Sequence, residues 1–311
     1  MDVLANVLSV TRLGNSVLNQ SELLPPWGME VDNYSIAAVH VVQSGTCWLR
    51  LGRPSTPMRL EAGDLVLVAR GLRHSLSDGP RTKVEPYETC LAKMAQRLER
   101  GEASFDSTMI LCAAFEFTQE GPHPLLSVLP DVIHLRRAEV AADPALRMLL
   151  DLLLLEATGK NSGSELVVPR LVDVLLVFVV RMWISLQPSG TTGWVGALRD
   201  PLVGRALEHV HMRPEHPWSV EELARAVSTS RPTLVRRFSD LVGMTPAAYL
   251  VQWRMNIAAQ LLRDSEHTLE TVAERSGYGG AAALSKAFRR HFSRSPGKYR
   301  QAQRGMRGDQ F

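Results

Sequence analysis

Two short groups of side chains near the end of the chain have the types and spacing for chemistry, and that chemistry is binding. Arg231, Thr233, Arg236 and Arg237 make the first group; Ser285, Lys286 and Arg289 make the second. An arginine presents a planar fork of donors that matches two acceptors held side by side, as on the guanine edge or on a phosphate. Lysine adds a point charge, and serine and threonine add short polar contacts. No phosphate loop, nucleophile elbow or paired-carboxylate constellation stands out anywhere in the chain.

The elements that must carry these groups say nearly the same thing twice. Leu234, Phe238, Pro246 and Tyr249 recur as Leu284, Phe288, Pro296 and Tyr299, each 50 residues later. A repeat of this size reads as one supersecondary unit used twice. Ser219 followed by Glu222 has the spacing of a capping box. Ser228-Thr229-Ser230 offers a turn and an N-cap, and Pro232 fits only the first turn of the next helix. In that helix Leu234, Val235, Phe238 and Leu241 make an apolar stripe, and the polar group lies mostly off it. Thr245-Pro246 opens a longer helix with Tyr249, Leu250, Trp253, Ile257, Leu261 and Leu262 at helical spacing. The second copy starts near Thr268, turns at Gly277 and restarts after Gly279-Gly280.

A short helix, a tight turn and a second helix with exposed basic residues is the helix-turn-helix geometry that reads double-stranded DNA. Two in tandem, joined by a helix of fixed length, can present recognition helices to successive major grooves roughly 34 Å apart. Residues from about 199 to 300 resemble the DNA-binding domain of the AraC/XylS bacterial transcription regulators. The resemblance rests on Arg236-Arg237-Phe238, Gly243-x-Thr245-Pro246, Trp253-Arg254-Met255, Ala273-Glu274-x-x-Gly277-Tyr278, Ala287-Phe288-Arg289-Arg290 and Ser295-Pro296-x-x-Tyr299-Arg300. The chain departs from the family in the second turn, where Gly279-Gly280 follows Gly277-Tyr278, and where Ala281-Ala282-Ala283 offers no hydrogen-bonding side chain. The second unit is therefore expected to depend more on phosphate contacts and DNA shape. In the first, Arg236 is placed to reach base edges with Thr233 and Arg231 beside it, while Arg237 reaches bases or clamps a phosphate. Ser285 and Lys286 are the base-side residues of the second, with Arg289 toward the backbone.

Charge agrees with this placement. The net charge is +3, but residues from Arg199 onward carry 18 Lys and Arg against 11 Asp and Glu, and the rest carries 17 against 21. The basic excess sits on the repeat, as phosphate binding requires. Three cysteines with no Cys-x-x-Cys pair argue against a disulfide framework and fit a reducing cytoplasm. The N-terminus lacks a basic segment followed by a long apolar core, so no signal peptide is expected. The most apolar stretch, Leu166 to Leu186, is broken by Pro169, Arg170, Asp173 and Arg181, and so predicts a buried or dimer-forming helix and no membrane span.

Residues 1–14 read as a short helix. From Val17 to about Leu135 the runs become short, β-branched and punctuated by Gly and Pro: Ser35-Val42, Thr46-Leu51, Met58-Leu60, Asp64-Ala69 and Met109-Phe117. That pattern predicts a small antiparallel barrel or sandwich. Pro80 to Asp106 shows no strand pattern, with a helical turn or two at Leu91-Leu98 in a mobile loop. Gly63 to His74 resembles the second cupin motif, with Ala69 in place of its usual proline. Of the first motif only His40 stands; Val42 occupies the place of the second histidine and no glutamate follows. Trp27, Trp48, Arg73-His74 and His123-Pro124-Leu125-Leu126 resemble the cupin-type sensor half found in one branch of the same regulators. The resemblance implies a barrel holding an unknown small-molecule effector, contacted by Trp27, His40, Trp48 and His74. His40 and His74 are also the two candidate metal ligands, with a cysteine as a soft addition or as an oxidant sensor. No cofactor is implied.

After the barrel, Leu146, Leu149, Leu150, Leu153 and Leu154 make one helical stripe, and Leu171, Val174, Leu175, Phe178 and Met182 another, as packing on the barrel or as a homodimer surface. The expected architecture is α+β in two domains: a degenerate cupin β-barrel plus helices, then an all-α tandem helix-turn-helix domain. The sensing and dimerisation part spans 1–187 (barrel about 17–135, helices about 144–187), with a linker at 188–195. The DNA-binding part spans 196–300, its first helix Trp194 to His211, and 301–311 is a frayed tail. The expected function is a cytoplasmic, DNA-binding transcription regulator, an activator working through RNA polymerase as the resemblance implies. The alternative is a cupin-type metalloenzyme fused to a DNA-binding module.

Overall fold

Alternating apolar residues and a handful of turn glycines build the first half of the chain into two facing sheets. The computed structural model describes residues 13–32, 36–52, 56–69, 71–117, 129–159, 161–188, 191 and 193–308. These fall into two compact units, one within Arg12–Thr118 and Leu129–Leu186, the other within Gln187–Phe311.

In the first unit the strands are β1 (Leu13–Leu23), β2 (Gly28–Val31), β3 (Ile36–Ser44), β4 (Thr46–Leu51), β5 (Met58–Glu61), β6 (Leu65–Val68), β7 (His74–Ser77), β8 (Glu85–Pro86), β9 (Thr108–Phe117) and β10 (Val132–Leu135). They form two five-stranded sheets, in the orders β1-β9-β3-β6-β10 and β5-β4-β7-β2-β8. Period-2 alternation sets the inward face. Met29, Leu76 and Leu49 stand in one row across β2, β7 and β4, all buried, and meet Val42, Val66, Val68 and Ile110 of the other sheet in one core. Gly63 turns between β5 and β6 at φ +93, and an added Cβ would meet the Arg137 side chain at 2.7 Å, so glycine is required twice over. The carboxylate of Asp64 beside it accepts from the amides of Glu61 and Arg137 and contacts His134 Nε2, fixing the corner where the chain leaves the barrel.

The structure differs from the sequence expectations at several elements. Residues 13 and 14 begin β1; the rest of the helix expected at 1–14, and the His123 motif up to residue 128, lie outside the described residues. The region expected as a mobile loop holds a 13-residue helix, α1 (Tyr87–Glu99). Cys90 and Met94, one turn apart, enter the barrel core, and Arg97 donates to the carbonyls of Leu24 (2.6 Å) and Pro25 (3.1 Å). Three helices follow the barrel: α2 (Arg137–Ala142), α3 (Pro144–Thr158) and α4 (Ser164–Leu186). Leu146, Leu149 and Leu153 of α3 are buried as expected. On α4 the buried set is Val172, Leu175, Leu176, Val179 and Val180, with Val174 exposed, so the inward stripe is rotated by about one residue. A helix apolar on every side leaves periodicity unable to choose its face. Among the described residues no helix is long and apolar enough to cross a membrane.

The second unit is all helical: α5 (Gly193–Arg199), α6 (Val203–Met212), α7 (Val220–Ala226), α8 (Arg231–Val242), α9 (Pro246–Asp264), α10 (Leu269–Arg275), α11 (Ala281–Phe292) and α12 (Pro296–Gly308). The stretch read as one helix from Trp194 to His211 is two, because Asp200-Pro201 breaks it and Asp200 Oδ1 caps α6 from the amides of Leu202 and Val203. The stretch read as a frayed tail is helical as far as Gly308. The remaining boundaries follow the sequence: Ser219 and Glu222 form the capping box of α7, Ser230 caps α8, Thr245 caps α9 and Thr268 caps α10. The repeat reappears as packing. Phe238 meets Tyr249 edge-on at 5.6 Å, and 50 residues later Phe288 meets Tyr299 edge-on at 5.3 Å. At about 1.5 Å per residue the 19-residue α9 joining the two copies is roughly 28 Å long.

Candidate nucleic-acid interface and barrel centre

Helix α8 buries Leu234, Phe238 and Val242 and turns its polar side outward. It is held at three places around Arg236. At its start the hydroxyls of Ser230 and Thr233 lie 2.8 Å apart within the N-cap. Arg231 Nε pairs with Glu221 of α7 at 2.9 Å; both are exposed, so this pair adds at most about 1 kcal/mol. Arg237 donates through Nε and Nη2 to Asp200 Oδ2, 2.7 Å each, and that carboxylate is only 8% exposed. Burial alone would raise the Asp200 pKa, but the amides of Val203 and Leu202 and the Arg237 guanidinium outweigh it and hold the group below the usual carboxylate range. The sequence reading placed Arg237 against bases or phosphate; in the free chain it instead locks α8 to the α5–α6 turn. Arg236 is exposed and has no partner among the described residues. Of the first group, therefore, one arginine is unoccupied, two are tied to carboxylates, and Thr233 serves the cap.

In α11 Leu284 and Phe288 are buried, Lys286, Arg289 and Arg290 are exposed, and Ser285 is half-buried. Gly280 has no side chain to cap the helix. Glu270 of α10 replaces it, its Oε2 accepting from the Ala281 amide at 2.8 Å. Arg289 also lines a cleft of about 500 Å³ with Ser293, Arg294, Ser295, Lys298 and Ala302. The sequence reading missed Arg294 and Lys298. Aligning the two copies would have found them, since Arg294 and Lys298 stand where the first copy has Met244 and Ala248.

At the barrel centre the strand register sets His40 of β3 opposite Cys112 of β9, and the other sheet brings His74 of β7 to the same point. His74 Nδ1 is 2.8 Å from the Leu72 carbonyl, His74 Nε2 is 2.8 Å from His40 Nε2, and His40 Nδ1 is 3.1 Å from Cys112 Sγ. One set of protons satisfies all of these. The carbonyl only accepts, so His74 Nδ1–H donates to it and His74 Nε2 accepts from His40 Nε2–H. His40 Nδ1 then accepts from the Cys112 thiol. Every group is neutral in this arrangement. Burial lowers the pKa of both histidines, most for His40, where the neighbouring His74 adds to it. Burial pushes the Cys112 and Cys47 thiols up to about 12 and also raises Cys90.

This geometry bears on the effector residues. Trp27 is buried in the same core as the relay strands, but Trp48 alternates with inward Cys47 and Leu49 and lies on the opposite face of β4. Trp27, His40 and His74 are therefore on the core side of the sheets and Trp48 on the outer side of β4. His40 offers its two nitrogens in opposite directions, so His74 and Cys112 cannot converge with it on one ion, and among the described residues no group of three His, Cys, Asp or Glu is placed to hold a metal. Thiols buried and protonated to about pH 12 are poor oxidant sensors. A hollow of about 460 Å³ lies by the outer face of β2, β4 and β7, lined by Glu30, Arg50, Arg73, His74, Ser75 and Val84.

Comparison with known proteins gives the family. A family model described as Cupin matches residues 2–185, and one described as Helix-turn-helix domain matches residues 223–302. An AraC-like transcription regulator of Streptomyces antibioticus is 30% identical over 300 residues, 96% of this chain and 98% of its own length. The HTH-type transcriptional regulator AlkR of Acinetobacter baylyi is 29% identical over 97% of this chain and 99% of its own. The solved DNA-binding domain of AdpA, in complex with a target DNA, is 35% identical, covers 35% of this chain and 97% of that one, and has a TM-score of 0.34. The relatives are transcription regulators and not enzymes, which sets aside the metalloenzyme alternative. A cupin region of two packed sheets with helices, followed by a tandem helix-turn-helix module and matched to such regulators over nearly its whole length, makes the chain a member of the AraC family of DNA-binding transcription regulators.

Proposed function

We propose that the chain is a cytoplasmic one-component activator, in which residues 1–187 sense and dimerise, 188–195 link, and 196–300 bind promoter DNA. The observation that carries the DNA-reading assignment is Arg236, an exposed guanidinium with no partner among the described residues, on a helix whose Arg231 and Arg237 are tied to Glu221 and Asp200. Lys286 holds the same place in the second copy, 50 residues on, with Ser285 beside it. A small organic effector suits the first unit better than a metal or an oxidant, for the reasons of donor direction and thiol protonation given above. The hollow by the outer face of β2, β4 and β7, beside Arg50, Arg73 and Ser75, would receive it. Activation by contact with RNA polymerase is tested by transcription in vitro from a promoter carrying a site selected by the full chain. More transcript with the protein than without it is the expected result; less transcript would make the chain a repressor.

A homodimer is part of this reading. Met148, Leu152 and Leu155 lie along one face of α3, at 66%, 42% and 64% exposure, and Val167 and Val174 are exposed on α4. An exposed apolar row on α3, with further exposed valines on α4, suits a second copy of the chain. Leu155→Glu is expected to convert dimer to monomer in sedimentation equilibrium without loss of helix content; an unchanged mass would remove α3 from the interface.

A further inference from the structure

One basic side chain of the connecting helix α9 is turned to backbone. Arg254 is half-buried; its Nε donates to the Pro214 carbonyl at 3.1 Å and its Nη2 to the His216 carbonyl at 2.6 Å. Both carbonyls belong to the loop between α6 and α7, which leads into the first unit. That loop is tied to itself. The Trp218 amide donates to the His216 carbonyl at 2.7 Å, the Trp218 indole to the Arg213 carbonyl at 3.0 Å, and the Arg213 guanidinium lies 5.2 Å from the centre of the Trp218 ring. The fork of one arginine thus grips a preformed loop at two points.

The turn of the second unit meets the same grip. The two turns are built alike. The amides of Ser228 and Gly277 donate to the carbonyls of Arg225 and Glu274, both at 3.0 Å, and those of Thr229 and Tyr278 to Ala224 and Ala273, at 2.9 and 2.8 Å. Ser228 sits at φ 57 and Gly277 at φ 75, so the turn itself accepts a side chain. What excludes one at Gly277 is its surroundings: a Cβ there would come within 2.5 Å of the Pro214 carbonyl oxygen and 2.7 Å of Arg254 Nε. The missing side chain lets loop, connector and turn approach one another. Glu215 and Pro217 of the loop and Tyr278 and Gly279 of the turn line one cleft of about 460 Å³.

We propose that Arg254 is a positioning residue: with Gly277 it locks the lead-in loop of the first unit to the turn of the second, and so fixes the separation and phase of α8 and α11 on DNA. This rests on the reading that both helices enter the major groove. Helix α9 alone does not fix their relation, because α11 follows it through a loop, α10 and a turn, and the chain can pivot at each. The joint closes that path into a ring. A rigid pair of recognition helices accepts one spacing of half-sites, and each inserted base pair moves the second half-site by about 3.4 Å along the duplex and about a tenth of a turn around it.

The test uses the full chain and a duplex selected by it from random sequence, compared with the same duplex carrying one base pair inserted between the two half-sites. In the wild type the insertion is expected to weaken binding about tenfold or more, the cost of a mismatched base pair. In Arg254→Gln, which keeps a donor but cannot reach both carbonyls, that penalty shrinks to about threefold, half of it in free energy. Affinity for a duplex holding the α8 half-site alone stays unchanged, which a general loosening of the first unit would not allow. Gly277→Ser copies the turn of the first unit and wedges a side chain into the joint. It is expected to shrink the penalty in the same way, and it carries the test if Arg254→Gln does not fold. A folded Arg254→Gln that keeps the full penalty overturns the proposal and leaves the regulator reading standing. If the wild type binds both duplexes equally, the reading that both helices enter the groove fails and takes the proposal with it.

Discussion

Arg236→Ala is expected to lower affinity for the specific site by about 1–3 kcal/mol, the discrimination one bidentate arginine supplies. Affinity for unrelated DNA should fall far less, because only one cation is lost. Folding stability should stay within about 0.5 kcal/mol, since the side chain is exposed and has no partner among the described residues. The neighbouring substitution separates reading from positioning. Arg237→Ala removes the donor to the nearly buried Asp200 carboxylate, which also caps α6. It is expected to lower stability by about 1–3 kcal/mol, the cost of a buried acceptor left unmatched. Its effect on DNA binding follows from the looser seat of α8, and so should be similar on all sequences. Titrations on specific and non-specific duplexes, with thermal melts of the same variants, check both halves.

The second large effect belongs to the barrel. His40→Leu deprives His74 Nε2 of its donor and the Cys112 thiol of its acceptor, in a core where both are buried. At about 1–3 kcal/mol for each stranded polar group, the first unit is expected to lose about 2–4 kcal/mol, read as a lower urea midpoint. The same relay makes the unit acid-sensitive. Both histidines have folded pKa values below the unfolded value, so below about pH 6.5 the unfolded chain binds protons that the folded barrel refuses. Stability is therefore flat above that pH and falls as pH drops beneath it, by up to about 1.4 kcal/mol per pH unit for each histidine until its folded pKa is reached. Urea midpoints measured from pH 7.5 down to 5 should show that fall in the wild type and a shallower one in His40→Leu. An equal slope in both would mean that His40 does not titrate with folding.

Why was one half of the molecule so much more legible than the other? The second unit declares itself locally. Its caps are Ser219, Ser230, Thr245 and Thr268, each bonded within three residues, and its core is a spacing repeated after 50. The barrel strands that escaped detection are held by partners far along the chain. β1 is an edge strand whose Asn19, Gln20 and Ser21 break the apolar pattern, and it exists through pairing with β9 some 90 residues later. β7 shows one apolar residue, Leu76, because its other inward position is His74, whose partner His40 is 34 residues away. α1 has no capping side chain to announce it. The same rule explains the site. Arg236 was legible because it is unattached, whereas the engagement of Arg237 depends on Asp200, 37 residues upstream. That Trp48 faces away from the core was legible too, since its neighbours Cys47 and Leu49 fix the inward face of β4.

Genome-wide occupancy of the wild-type chain and of Arg236→Ala, with transcript levels of the flanking genes, tests the central claim most directly. The account predicts discrete peaks beside genes whose transcripts depend on the protein, and loss of those peaks in the variant. Peaks that persist at unchanged height in Arg236→Ala, with unchanged transcripts, would contradict it.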